Sequence, residues 1–123
     1  MILNLTGFPA TPEQALEGVV EPVELAAIQA ANTFLYLPTA PVLRDRARFL
    51  ALYAKNSGYR SALIGGEDFF MPFLEGALLD VRVRPLYSFC SREIREQVRM
   101  DGSVRRTVVK VHKGFVGIDH PEQ

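Results

Sequence analysis

The chain opens on an apolar run, Ile2-Leu3-Asn4-Leu5, short enough for a buried strand and bounded by the turn formers Thr6-Gly7-Phe8-Pro9. Thr11-Pro12-Glu13-Gln14 then marks a helix start. The threonine can cap, proline suits the first helical position, and glutamine stands where a capping box places its reciprocal side chain. That helix runs from about residue 12 to 18, where Gly18 and Pro22 break it. A second helical stretch carries Val23, Leu25, Ala26, Ile28 and Ala30, and Phe34-Leu35-Tyr36-Leu37 reads as a second strand ended by Pro38. From Pro41 onward, Val42, Leu43, Ala47, Leu50, Ala51 and Ala54 form one broad apolar helix face, which Asn56-Ser57-Gly58 terminates. Residues 60–64 make a third strand, residues of about 68–80 the next helix, and Val83 through Cys90 a fourth strand. Such alternation predicts an α/β protein: a small Rossmann-like three-layer sandwich with a mostly parallel sheet plus a C-terminal β-hairpin.

The hairpin is read from Asp101-Gly102, which separates Ile94–Met100 from Ser103–Val111 and favours a two-residue turn. With Met100 opposite Ser103, Val98 faces Arg105 and Ile94 faces Val109, so neither face is cleanly apolar. An arm of this kind projects and grips a second subunit or a ligand. Gly114 to Ile118 reads as a last short strand and Asp119 to Gln123 as a frayed tail.

A chain of 123 residues supports one domain, expected to span 1–123, and no apolar run approaches the ~20 residues that a membrane helix needs. Met1 to Leu5 lacks the basic start and long apolar stretch of a secretory signal, so the cytoplasm is the expected location. Cys90 is the only cysteine and is expected to be a small buried hydrophobe. The net charge of zero conceals a basic block: residues 92–113 carry seven Lys or Arg against three Asp or Glu. Such a block is either a solvated hairpin or a surface for phosphates.

In open parallel sheets, ligands bind beyond the carboxyl ends of the strands. Here those ends are Thr6-Gly7-Phe8-Pro9, Gly65-Gly66-Glu67 and the segment from Ser88 through Ser91 to Arg92. They offer backbone amides, three hydroxyls and a guanidinium, a set suited to a phosphodiester. Gly65-Gly66 lets the backbone approach an anion where the third strand is expected to run straight into a helix, while Glu67 places favourable charge at that helix start. Thr6, Ser88 and Arg92 are the candidates for reaction chemistry; Gly7, Phe8, Gly65, Gly66, Glu67 and Ser91 are the candidates for ligand contact. Neither a G-x-x-x-x-G-K-[ST] loop nor a G-x-G-x-x-G fingerprint occurs, and no cofactor is expected. His112 and His120 are not spaced as a helical ligand pair, so no metal is expected, and His112 reads as a packed or surface residue. Zero net charge without an aromatic ladder argues against duplex DNA as a partner.

Asn4-Leu5-Thr6-Gly7-Phe8-Pro9-Ala10-Thr11-Pro12-Glu13-Gln14 resembles the opening of small CRISPR-associated proteins of the ring-nuclease group, and also openings of uncharacterised phage and mobile-element proteins. Ile64-Gly65-Gly66-Glu67-Asp68-Phe69-Phe70-Met71 is similar to the strand–Gly-Gly–helix segment of CARF domains, the sensors of cyclic oligoadenylate. The resemblance covers two short motifs and the alternation of elements. It implies a homodimer that binds a cyclic oligonucleotide across its two-fold cleft, with Thr6, Gly65 and Gly66 at matching positions. Where the sensors often carry Thr-Lys after the glycines, this chain has Glu67-Asp68. The expected function is binding, with or without metal-independent cleavage, of a cyclic oligoadenylate in antiviral defence. The alternative is a non-enzymatic accessory interaction protein of a phage or mobile element.

Overall fold

The computed structural model describes residues 1–119; His120 and the rest of the tail lie outside the described residues. The elements are β1 (Ile2–Asn4), α1 (Pro12–Leu16), β2 (Val19–Val20), α2 (Leu25–Asn32), α3 (Ala40–Asn56), β3 (Ser61–Leu63), α4 (Met71–Asp80), β4 (Arg84–Val98) and β5 (Val104–Gly117). The strands form a five-stranded sheet in the order β2-β1-β3-β4-β5. The first three pairings are parallel and β4–β5 is antiparallel. The fold is therefore mixed α/β, with a curled, mostly parallel sheet and a long terminal hairpin.

Strand alternation sorts the core. Leu3, Leu5, Ala62 and Ile64 point one way and are buried against Ile28 of α2, Ala47, Leu50 and Ala54 of α3, and Leu74 and Leu78 of α4. Asn4 and Leu63, one step out of phase, are buried as well. The capping box of α1 forms as its sequence predicts: Gln14 N donates to Thr11 Oγ1 at 3.2 Å, and Thr11 N donates to Gln14 Oε1 at 3.0 Å.

Several expectations are corrected, among them the burial of Cys90, which is exposed on the arm. Phe34–Leu37 is not a strand; Leu35, Tyr36 and Leu37 are 81%, 87% and 96% exposed, in a loop before Pro38. Only Phe34 of that run packs inward, edge-on to Phe69 and Phe70 and beneath the Arg46 guanidinium. The second strand is instead Val19–Val20, which follows the positive φ of Gly18 and pairs Ile2 with Val19 and Leu3 with Val20. Two residues are too few to show an alternation pattern.

The fourth strand does not stop at Cys90 but continues through the arm to Val98. At the arm's tip, Val98 faces Val104 and Ile94 faces Val108, one residue away from the expected register. The turn is not the two-residue kind. Gly102 N donates to Arg99 O at 2.9 Å, Arg99 N donates to Ser103 O at 2.8 Å, and Gly102 has φ +84°. This is a turn centred on Met100 and Asp101 followed by a left-handed glycine, the bulged form of hairpin. The Asp101 carboxylate holds it by accepting from Ser103 N and Oγ, and those bonds lower its pKa. Finally, Gly66 does not lead straight into a helix. Phe70 N and Met71 N both donate to Glu67 O, so a turn separates Gly66 from α4.

A second irregularity bends the hairpin where it leaves the domain. Phe89 pairs with Gly114 but Cys90 with His112, which leaves Lys113 as an extra residue on β5. The sheet curls enough to bring His112 of β5 against Glu17, at the end of α1 near the opposite sheet edge.

Candidate functional site

The strand order reverses between β1 and β3: the chain goes from β1 outward to β2, then returns to the other side of β1. The carboxyl ends of two strands whose following loops diverge leave a crevice there. A cleft of about 370 Å³ occupies this position, lined by Thr6 and Phe8 after β1, Gly65 and Gly66 after β3, and Tyr87 and Ser88 of β4. Five sequence candidates thus converge from three separated segments. Gly7 lines an adjoining hollow of about 240 Å³ beside Gln29 and Asn32. Glu67 is exposed and lines neither space. Ser91 and Arg92 sit farther out on the arm, opposite Val111 and Lys110, and do not line the cleft within one protomer.

The loop after β1 is built around Asn4, which the alternation of β1 turns away from the helices and which is 1% exposed. Its Oδ1 accepts from Thr6 N at 3.0 Å and from Thr6 Oγ1 at 2.7 Å. Its Nδ2 donates to Phe8 O at 2.7 Å and to the Glu21 carboxylate at 3.0 Å. Glu21 also accepts from Ala10 N at 2.8 Å. One amide therefore fixes the Thr6 rotamer and the path of residues 6–10. Such bonding offsets the free-energy cost of burying a polar side chain.

Gly7 has φ +82°, and its carbonyl accepts from Gln29 Nε2 at 3.2 Å. Across the cleft, Gly66 has φ +147°, a conformation that L side chains rarely adopt. Asn32 Nδ2 donates to Leu5 O and Ile28 O, while its buried Oδ1 has no partner and lies near Gly66. The amides of Gly65 and Gly66 donate no hydrogen bond among the described residues. The site thus offers backbone donors, a fixed hydroxyl and one orphan acceptor.

Tyr87 is not available as a base. Its hydroxyl donates to Glu75 Oε2, and burial, reinforced by that bond and by the charges of Glu75 and Asp68, pushes its pKa far above the ordinary phenol value.

Ser88 carries the least expected feature. Its Oγ lies 2.7 Å from His112 Nδ1, and His112 Nε2 lies 3.3 Å from Glu17 Oε1. The imidazole is 4% exposed, tilted against Phe115, and its Nε2 is within charge-pair range of the carboxylate although not aligned as a hydrogen bond. Sequence reasoning missed Asn4, Asn32, Glu17 and His112. Only Asn4 left a signal, as a polar residue inside an apolar strand.

The basic block is partly neutralised within the arm. Arg106 pairs with Glu96 at 3.1 Å, Lys113 with Glu93 at 2.7 Å, and Arg95 with Glu93 at 3.3 Å. Lys113, by hydrogen bond and charge, holds the Glu93 carboxyl below its usual range. Among the described residues, no three of His, Cys, Asp and Glu converge as metal ligands. No helix is long and apolar enough to cross a membrane.

These features define a class: an α/β protein with an open, curled sheet and a polar cleft where the strand order reverses. The chain belongs to the Uncharacterized protein MJ1673 family, whose model matches residues 1–116. No curated protein and no solved structure matches it.

Proposed function

We propose that this protein is a homodimer that binds a cyclic oligonucleotide of the cyclic oligoadenylate type and cleaves it without metal. The observation that carries the reading is the convergence of Thr6, the Gly65 and Gly66 amides and Ser88 on one cleft at the reversal of strand order. Phosphate oxygens are acceptors only, and the unpaired backbone amides of Gly65 and Gly66 are donors suited to them. The orphan Asn32 Oδ1 nearby suits an amino or hydroxyl donor of a nucleoside. Cleavage then proceeds by attack of a ribose 2′-hydroxyl on the adjacent phosphorus, with these groups orienting the nucleophile and stabilising the phosphorane charge. Right-handed crossovers would set α1 on the sheet face opposite α2–α4, completing a Rossmann-like three-layer sandwich. A cytoplasmic role in antiviral defence fits such a ligand.

The dimer rests on the arm. In its actual register, Ile94/Val108, Glu96/Arg106 and Val98/Val104 are cross-strand pairs on one face, and all four apolar members are exposed. If two arms pack face to face about an axis parallel to the strands, each Glu96 meets the partner's Arg106 and the apolar pairs cover each other. Such a surface is self-complementary, as a two-fold interface requires. Sedimentation should therefore show a dimer, and the double variant Ile94→Asp/Val98→Asp should weaken association at least tenfold with its circular dichroism unchanged. A wild-type monomer at micromolar concentration would remove the dimer from the proposal.

The functional test is incubation of the purified protein with a panel of cyclic oligoadenylates without added metal, with calorimetry for binding and chromatography for products. Linear products are expected. Binding without products would leave a sensor or sponge, and no binding at any ring size would sink the reading. One observation favours the rival, an accessory interaction protein of a phage or mobile element: Leu35, Tyr36 and Leu37 line an exposed apolar hollow of about 570 Å³ beside α2 and α3.

A further inference from the structure

We infer that His112, held between Ser88 and Glu17, is the proton acceptor of the cleft and acts through the Ser88 hydroxyl. The inference rests on the cleavage reading above and supplies the base that no cleft-lining residue provides. Three distant parts of the chain meet here: the end of α1, the inner half of β4 and the bulged part of β5.

The geometry orders the chemistry. Glu17 Oε1 at 3.3 Å favours the tautomer with hydrogen on Nε2, which leaves the Nδ1 lone pair facing Ser88 Oγ at 2.7 Å. The serine hydroxyl therefore donates to the imidazole, Cys90 Sγ lies 3.5 Å from the same Oγ, and Ser88 lines the cleft. The imidazole itself is 4% exposed, so a ligand meets the hydroxyl and not the ring. The titratable groups facing it are Glu17 from α1 and Cys90, its cross-strand partner on β4; Lys113, next along β5, is engaged by Glu93.

In the step itself, the 2′-oxygen of one ribose forms a bond to phosphorus and the bond from phosphorus to the 5′-oxygen breaks. The 2′-proton passes to Ser88 Oγ as the serine proton passes to His112 Nδ1, and the imidazolium is stabilised by the Glu17 carboxylate. The departing 5′-oxygen takes a proton from water. The products are a 2′,3′-cyclic phosphate and a 5′-hydroxyl, and His112 returns its proton to solvent. Ser88 is then the catalytic residue that touches substrate, and His112 and Glu17 are positioning residues.

The experiment measures single-turnover cleavage of cyclic oligoadenylate between pH 5 and 9, with calorimetric affinity, for wild type, H112Q, E17Q and S88A. Positioned acid–base groups contribute about 10²–10⁴-fold, so H112Q should lose at least tenfold in rate at neutral pH while affinity changes little. It should also lose the acidic limb of the wild-type pH profile. E17Q, which keeps the imidazole, should lower the rate with affinity little changed, because the carboxylate 3.3 Å from Nε2 no longer orients the ring with Nδ1 toward Ser88. If H112Q does not fold, E17Q decides: a wild-type single-turnover rate overturns the proposal. Wild-type rate and limb in H112Q overturn it too. Binding without cleavage by wild type overturns the relay and leaves the binding reading intact; absence of binding overturns both.

Discussion

Phe70→Ala should cost about 3–5 kcal/mol of stability, the usual range for removing a fully buried phenylalanine ring. Small domains have only about 5–15 kcal/mol in total, so the melting temperature should fall on the order of 15 °C. Phe70 is 1% exposed and belongs to the core that joins the sheet to α2, α3 and α4. It stacks edge-on against Phe34 with ring centroids 5.3 Å apart. Its backbone N donates to Glu67 O, and its carbonyl accepts from Leu74 N, so it also joins the glycine turn to the first turn of α4. Loss of the ring should therefore loosen Gly65-Gly66 as well as the core. Chemical denaturation gives the stability, and Phe70→Leu should recover most of it because an apolar side chain refills the space. A loss below about 1 kcal/mol would mean that the ring is not packed as described.

Asn4→Ala should destabilise the protein by about 2–3 kcal/mol and abolish measurable ligand affinity at the cleft, a larger functional than structural effect. The cost arises because the partners stay in place when the amide goes. The Thr6 amide loses its acceptor, while Phe8 O keeps the Thr6 Oγ1 contact and the exposed Glu21 can be rehydrated. Thr6 Oγ1 loses its shortest bond, the one to Asn4 Oδ1, and keeps only the longer contacts to Phe8 N and O, so its position in the cleft is less firmly fixed. Asn4→Asp separates hydrogen bonding from charge. It keeps the acceptor for Thr6 but sets a second carboxylate beside Glu21. Burial and like charge would raise the introduced group's pKa above its unfolded value, so the folded state would hold the proton more tightly. Destabilisation should be small in acid and grow as pH rises through the carboxylate range. Equal stability of Asn4→Asp and wild type at neutral pH would contradict the described network.

The part of the site that could be read from the sequence is the part made of local chemistry. Thr6, Gly65 and Gly66 follow strands whose apolar runs are continuous, and a loop after a parallel strand is where donors collect. Ser88 was found by the same rule. The same rule selects Ser91 and Arg92, which follow Cys90 in sequence, but β4 does not end there, so they travel outward along the arm. Nothing local distinguishes a strand that ends at Cys90 from one that continues, since Arg92 and Glu93 are as compatible with an exposed strand as with a loop. Similarly, Asp101-Gly102 allows both a two-residue turn and the bulged turn that forms, and the difference of one residue exchanges the two faces of the arm. The exposed apolar face that motivates the dimer exists only in the actual register.

The sequence by itself determined the helices, the parallel strands β1 and β3 and the start of β4, because the spacing of apolar positions, the cap at Thr11 and the helix-ending Gly18 act within a few residues. It also determined that Phe34–Leu37 is apolar, but not that this run is a loop. Only the tertiary structure decided that Val19–Val20 takes the edge of the sheet, since a two-residue strand gains its stability from Ile2 and Leu3 and not from its own pattern. The same holds for His112. A histidine on a polar arm has no local sign of burial, and it becomes buried because the bulge at Lys113 curls β5 until residues 17, 88 and 112 share one place.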